Sequence, residues 1–371
     1  MPLNILNVVG ARPNFMKIAP LLRKMQAHPE MQPVLLHTGQ HYDEKMSRLF
    51  FEELALPKPD IYLGVGSAGH GAQTGKIMIE FEKVLLEQRP DLVVVVGDVN
   101  STIACGLVAV KLGIKLAHVE AGLRSFDRSM PEEINRILTD QISDLLFITE
   151  KSGEVNLLNE GIAKDKIHFV GNVMIDTLLQ HKKQADASNI LTALEVQPQH
   201  YVALTLHRPA NVDSKDTLTD IFQALREIQK DIKLIFPMHP RTRNRIKEFG
   251  LSDMLEDMPQ LRLCEPLGYL DFLKLMSEAK FLLTDSGGIQ EESTVLGVPC
   301  LTLRENTERP VTVQQGTNLV IGSNAQRIIA ESENILNGNA KTGSVPDLWD
   351  GKAAARIVDA IRNEFQISKH K

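Results

Sequence analysis

Short, solidly apolar runs alternate with helix-length amphipathic segments almost from end to end of this chain. In the first half the runs fall at 5–9, 34–37, 92–96, 116–119, 145–149 and 168–170; in the second, at 201–206, 233–237, 261–263, 281–284 and 300–303. A strand that is apolar at every position, rather than at every second one, must be covered on both faces. Strand–helix alternation then calls for parallel pairing through right-handed crossovers, and so for doubly wound α/β sheets. At 371 residues the chain outgrows one ordinary core. Two Rossmann-like domains facing across a cleft are expected, at 1–172 and 173–351, with a last helix at 352–371 packing back on the first.

Composition narrows the function classes. The net charge is −6 and no dense run of Lys and Arg occurs, which argues against a nucleic-acid binder. Any anionic ligand must be held by a few placed cations and backbone amides. No apolar run approaches the roughly 20 residues of a membrane span, and residues 1–10 read as a strand rather than a signal peptide. Cys105, Cys264 and Cys300 form no C-x-x-C pair and read as buried small hydrophobes of a reducing cytoplasm. His37 and His41 are spaced like metal ligands but have no third partner, so neither metal nor cofactor is expected.

In open parallel sheets, ligands collect at the carboxyl ends of the strands. Ionisable residues and glycines gather at that one rim. In the first half they are Gly10-Ala11-Arg12-Pro13 with Lys17, Gly97-Asp98, and Glu120-Ala121-Gly122. In the second they are His207-Arg208, His239 and Asp285-Ser286-Gly287-Gly288. The Ser286-Gly287-Gly288 turn leads into a helix, where backbone amides can approach a phosphate. Arg12 and Lys17 are candidates to face that phosphate, and Glu292 to accept ribose hydroxyls. A tight turn with Ser286 as N-cap is the structural alternative. Asp98, Glu120 and Glu132 form a candidate proton-transfer set, since converging carboxylates raise one another's pKa. The plainer alternatives are a turn for Asp98, a partner for Arg124 in Glu120, and a capping box from Ser129 to Glu132. His207, at a strand end beside Arg208, is assigned to a leaving diphosphate. Gly64-Val65-Gly66-Ser67-Ala68-Gly69 matches a dinucleotide fingerprint, but it follows only a short apolar run, and Gly71 and Gly75 are expected to delay the helix it should open. It reads as a glycine loop that closes over substrate.

With these motifs the chain resembles the non-hydrolysing UDP-N-acetylglucosamine 2-epimerases over nearly its full length. Gly39-Gln40-His41, His118 to Arg124, Pro131 to Arg136 and Thr307-Glu308-Arg309-Pro310 join those already named, in the same order. The resemblance implies a GT-B-type fold, a homodimer and a UDP-sugar substrate. It implies Asp98, Glu120 and Glu132 as proton-transfer groups with His207 at the diphosphate. It also implies Arg12, Lys17, Ser286, Gly287, Gly288 and Glu292 as the nucleotide set. Gln40, His41, Arg208 and His239 resemble the lining of a second, activating UDP-sugar site, a pattern from which Asp43 and Ala72 depart. Ala11, Val99 and Ala210 also depart from the family, without touching an acid or base.

The chemistry so implied is inversion at C2 of the sugar. UDP leaves C1, a carboxylate removes the C2 proton to give 2-acetamidoglucal, and UDP adds back. Such an enzyme supplies cell-surface polysaccharide synthesis. A GT-B glycosyltransferase, a non-catalytic sensor, a hydrolysing epimerase and the same reaction on a modified UDP-2-acetamido sugar are the alternatives.

Overall fold

The computed structural model describes residues 2–40 and 58–367, the side chain of Arg12 excepted. The chain divides into two compact units, one of Met1–Gln180 with Asp347–Lys371 and one of His181–Pro346. Each is built on a wholly parallel sheet.

The first sheet holds β1 (Leu3–Val9), β2 (Met31–His37), β3 (Ile61–Tyr62), β4 (Leu92–Val96), β5 (Lys115–Ala121), β6 (Leu145–Ile148) and β7 (Ile167–Phe169), ordered 3-2-1-4-5-6-7. All five residues of β4 are buried, as its unbroken Leu-Val-Val-Val-Val sequence requires. Strand order reverses between β1 and β4, the switch point at which parallel sheets place their ligands. Gly10 to Lys17 and Gly97-Asp98 follow those two strands.

Residues 347–367 belong with this unit. The buried Trp349 indole donates to the carbonyl of Thr149 (2.9 Å), and the Asp176 carboxylate caps the helix Ala353–Glu364 through the amides of Ala353 (3.0 Å) and Ala354 (2.8 Å). Arg362 then pairs with Glu30 (2.9 Å).

The second sheet holds β8 (Tyr201–Thr205), β9 (Lys233–Pro237), β10 (Leu261–Cys264), β11 (Phe281–Thr284), β12 (Cys300–Thr302) and β13 (Asn318–Val320), ordered 10-9-8-11-12-13. Its core gathers Leu204, Phe222, Phe236, Phe281, Leu301 and Ile328, each wholly inaccessible. The switch point lies between β8 and β11, whose ends carry His207-Arg208 and Asp285 to Gly288.

Sequence patterning misses β3 and β13, edge strands of two and three residues too short for a periodicity signal. Two expectations need correction. Cys264 is only half-buried, because β10 is an edge strand, while Cys105 and Cys300 are buried as expected. The helix His70–Gln88 starts directly after Gly69 instead of being delayed, with Gly71 and Gly75 inside it. Two glycines cost about 1 kcal/mol each against alanine, and the buried Gln73, Ile77, Phe81 and Leu85 stripe offsets this. The preceding glycine segment is fixed rather than free: the amides of Val65 and Gly66 donate to the carbonyls of Thr38 and Gly39 (3.0 Å each).

Candidate active site

In the first unit, Asn14 shapes the exit from β1. Its Oδ1 accepts the amides of Gly10 (3.2 Å) and Ala11 (3.0 Å), and its Nδ2 donates to the carbonyl of Val96 (3.0 Å). One side chain thereby ties together the ends of the two strands that flank the switch point. Arg12 opens the helix Arg12–Gln26, and its side chain lies outside the described residues. Lys17, in the same helix, is buried and forms an ion pair with Glu120.

Glu120 occupies an irregular point of β5. The register against β6 slips between Val119 and Ala121, and Glu120 has φ +71°. A non-glycine residue held in that region costs about 1–3 kcal/mol, and a bulge re-aims the side chain it carries. Here the carboxylate is aimed over Gly97. A Cβ on Gly97 would stand 3.2 Å from Glu120 Oε2 and 3.5 Å from Lys17 Nζ, and Gly97 itself has φ +68°. Close approach and backbone conformation both require glycine there.

The Asp98 carboxylate pairs with Arg136, and its carbonyl accepts Nδ2 of Asn135 (2.9 Å). Arg136 also donates to Glu133 (3.1 Å), a buried carboxylate that accepts the amides of Ser125 (2.9 Å) and Phe126 (2.9 Å). Glu132 stands in the first turn of the helix Pro131–Ile142 and is half-buried. Among the described residues it makes no hydrogen bond or ion pair.

The capping-box alternative for Ser129 and Glu132 does not form. Met130 is the N-cap, and the Ser129 hydroxyl donates to Asp127 (2.6 Å). Pairing of Glu120 with Arg124 does not form either, because Arg124 binds Asp140 (2.7 Å) and Glu160 (2.6 Å). Asp98 and Glu120 thus each face a cation of their own, a feature that simple convergence of three carboxylates did not anticipate.

Below this rim runs a buried chain of charge. The His118 ring lies 2.7 Å from Asp140 through Nδ1 and 2.8 Å from the Gly97 carbonyl through Nε2. Asp140 also accepts the amide of Gly122 (3.0 Å). Burial alone would raise the Asp140 pKa; attraction to His118 and Arg124 outweighs it and holds the carboxyl below its usual value.

Gln40 is buried, and its Oε1 accepts the amide (3.0 Å) and hydroxyl (2.7 Å) of Ser101. His41 lies outside the described residues. The His37 ring stacks 5.0 Å from Phe15 and accepts the Gly39 amide (2.8 Å). Burial pushes its pKa down to about 4.

In the second unit, Ser286 sits at the N-cap of the helix Gly287–Leu296, but its side chain caps nothing. The N-cap position is as expected, while the capping hydrogen bond is not made. Gly287 lies against Arg309, where a Cβ would come within 2.7 Å of Nη1. Arg309 is itself buried between Glu291 (2.6 Å) and Glu308 (3.3 Å). A fixed cation thus lies under an uncapped helix N-terminus. The N-terminus favours an anion, while the two glutamates offset the charge of Arg309.

Glu292 is buried and accepts the Tyr269 hydroxyl (3.0 Å). Burial pushes its pKa up to about 8, reinforced by nearby Glu291 and opposed by the Tyr269 hydrogen bond. A shift in that direction favours the protonated form, which can donate and accept hydrogen bonds at once. His207 and Arg208 follow β8, and the rings of His207 and His239 pack 5.8 Å apart. His239 caps the helix Pro240–Phe249 through the Arg241 amide (3.2 Å).

Arg136, Glu133, Asp140, Asp285 and Arg309 were given no role from sequence alone. For all but Asp140 the sequence signal is proximity: each falls within a few residues of a rim residue or inside a quoted motif, while Asp140 lies outside them. Among the described residues, no group of three or more His, Cys, Asp or Glu is placed to hold a metal ion. No helix among them is long and apolar enough to cross a membrane.

Two parallel-sheet units, with carboxylates at one switch point and a glycine turn opening a helix at the other, set the frame for comparison with known proteins. The family model described as UDP-N-acetylglucosamine 2-epimerase matches residues 23–362. The chain belongs to this family. It is 48% identical over 356 residues to the UDP-N-acetylglucosamine 2-epimerase of Methanocaldococcus jannaschii, covering 95% of this chain and 96% of the relative. The crystal structure of the Methanocaldococcus jannaschii enzyme in complex with UDP-GlcNAc and UDP superposes with a TM-score of 0.90 at 46% identity, covering 97% and 99% of the two chains. A family relative from Pseudomonas aeruginosa, a UDP-2,3-diacetamido-2,3-dideoxy-D-glucuronate 2-epimerase, is 39% identical, covering 97% of this chain and 99% of the relative.

Proposed function

We propose that the protein interconverts UDP-N-acetylglucosamine and UDP-N-acetylmannosamine by eliminating UDP to 2-acetamidoglucal and adding it back. Inversion at C2 needs one proton removed and one delivered on the opposite face, so at least two positioned groups are required. Asp98, Glu120 and Glu132 are assigned to that work. The observation that carries the reading is Glu120: a strained, buried carboxylate paired with Lys17 over Gly97 has no evident structural use that a regular strand residue would not serve better. Strain of this kind concentrates at functional sites.

The leaving diphosphate is assigned to Arg12, His207 and the Ser286–Gly288 turn above Arg309, and the ribose to Glu292. Lys17, placed with the nucleotide set by resemblance, is assigned here to holding the Glu120 side chain in place. Preorganised donors aimed at developing charge supply the largest usual share of catalysis. As cell-biological setting we propose a cytoplasmic homodimer supplying cell-surface polysaccharide synthesis, a reading supported by the unpaired cysteines and the sugar-nucleotide chemistry. The resemblance also assigns an activating second site to Gln40, His41, Arg208 and His239; of these, the Gln40 side-chain oxygen is already bonded to Ser101.

Incubation with UDP-N-acetylglucosamine in D₂O, followed by NMR, tests the reaction. Deuterium at C2 together with the manno product is expected; turnover without exchange would overturn the elimination route. Inertness toward this sugar but turnover of a 2,3-diacetamido-uronate would shift the substrate to that of the Pseudomonas relative. Free N-acetylmannosamine would mark a hydrolysing enzyme.

Gly287→Ala tests the diphosphate turn. The added methyl must displace a guanidinium that two glutamates hold, at a cost of about 1–3 kcal/mol. UDP affinity by calorimetry is expected to fall about tenfold or more; unchanged binding would remove this turn from the site.

A further inference from the structure

Asp285 follows β11 and is wholly inaccessible. Its carboxylate turns toward the end of β8. Oδ2 accepts the backbone amides of His207 (2.9 Å) and Arg208 (2.8 Å) and Nδ2 of Asn211 (3.3 Å). Oδ1 lies 3.0 Å from Nδ1 of the His207 ring, an ion-pair distance off the line of a hydrogen bond, and accepts no hydrogen bond as the ring stands. Asn211 is fixed in turn by donating to the Leu303 carbonyl (2.8 Å). One buried carboxylate therefore holds the backbone, and faces the ring, of the residue assigned above to the leaving diphosphate.

The geometry has a chemical consequence. A carboxylate can only accept, so the ring nitrogen facing it must carry a hydrogen. With Nδ1 committed inward, Nε2 is the nitrogen left for a ligand, and the His207 side chain is 37% exposed where its partner is sealed. His239 packs on the ring from one side, and Arg208 is the adjoining cation. The mutual attraction also holds the Asp285 carboxyl below its usual pKa, although burial by itself would raise it.

We infer that Asp285 is a positioning residue that acts through His207, locking the imidazole with Nδ1–H toward the carboxylate and Nε2 toward the β-phosphate of the departing UDP. For that contact the ring must be the imidazolium: Nδ1–H is held toward Asp285 and Nε2–H donates to the phosphate oxygen on which charge accumulates, with no proton changing hands. The inference rests on the diphosphate role of His207.

The experiment combines Asp285→Asn, His207→Asn and the double variant with ¹⁵N NMR of the His207 ring. D285N is expected to lower kcat about tenfold or more, with KM changed much less. It should lose the Nδ1–H signature and add nothing to H207N in the double variant. Equal falls in every kinetic parameter with an unchanged ring signal, or additive losses, would overturn the inference and leave Asp285 a structural residue. Full activity in H207N would instead remove the reading of His207. The ring spectrum of the unsubstituted protein decides even if D285N fails to fold, because a neutral ring lacking the Nδ1 hydrogen contradicts the lock.

Discussion

Glu120→Gln is expected to lower kcat by at least about 10²-fold, the lower bound for losing a general acid or base. The substitution keeps shape and removes charge, so it asks whether the carboxylate is needed for chemistry. It also leaves the Lys17 ammonium buried without its counter-ion. Breaking a buried pair on one side costs about 3–5 kcal/mol, and stability should fall toward that range, less whatever the amide oxygen of Gln still accepts. The two effects are separable. Lys17→Met with Glu120→Gln removes both charges, so the double variant should recover most of the lost stability in urea denaturation while kcat stays low. Recovery of activity along with stability would show that Glu120 serves folding alone. Wild-type kcat in E120Q would end its assignment as a proton-transfer group. Asp98→Asn and Glu132→Gln belong in the same assay. Glu132 is the cleanest of the three, since among the described residues it has no partner to lose.

The fold was legible because its signal is long-range and redundant. Eleven apolar runs were identified from sequence, and the strand–helix alternation left parallel sheets as the outcome. The rim rule then picked out Asp98, Glu120, His207 and Ser286 without a structure, since strand ends are where side chains leave the sheet toward a ligand. What stayed hidden is pairwise. Nothing at positions 17 and 120 announces that they meet, because the contact depends on a bulge at Glu120 that has neither a glycine nor a proline to mark it. Asp285 was hidden for the opposite reason. Its neighbours Ser286 and Gly287 carry an obvious phosphate-loop pattern, and the residue before them read as part of the turn, whereas its side chain points back beneath β8. The Glu132 capping box shows the reverse error. Ser-Met-Pro-Glu fits the pattern, but Pro131 takes the first helical position, which moves the N-cap to Met130 and breaks the spacing.

Asp140→Ala is expected to destabilise the first unit by about 3–5 kcal/mol, with the loss read from the shift in urea midpoint at constant slope. The carboxylate is sealed from solvent and serves His118, Arg124 and the Gly122 amide together. Removing it leaves a buried guanidinium with Glu160 as its remaining carboxylate partner, beside the Leu123 carbonyl, and a buried imidazole with one acceptor. The pH dependence follows from the sign of the shift. Asp140 is more acidic folded than unfolded, so its contribution is present above the unfolded value near 3.9 and is lost as pH falls through the folded one. The gap between wild type and D140A should therefore be full at neutral pH and close only in strong acid. A gap that widened on acidification would contradict a stabilised carboxylate. The damage should also reach the rim, because His118 holds the Gly97 carbonyl immediately before Asp98. At a urea concentration where both proteins remain folded, D140A should turn over more slowly than wild type. Retention of full kcat there would mean that Asp98 is positioned by Arg136 and Asn135 without help from the charges beneath it.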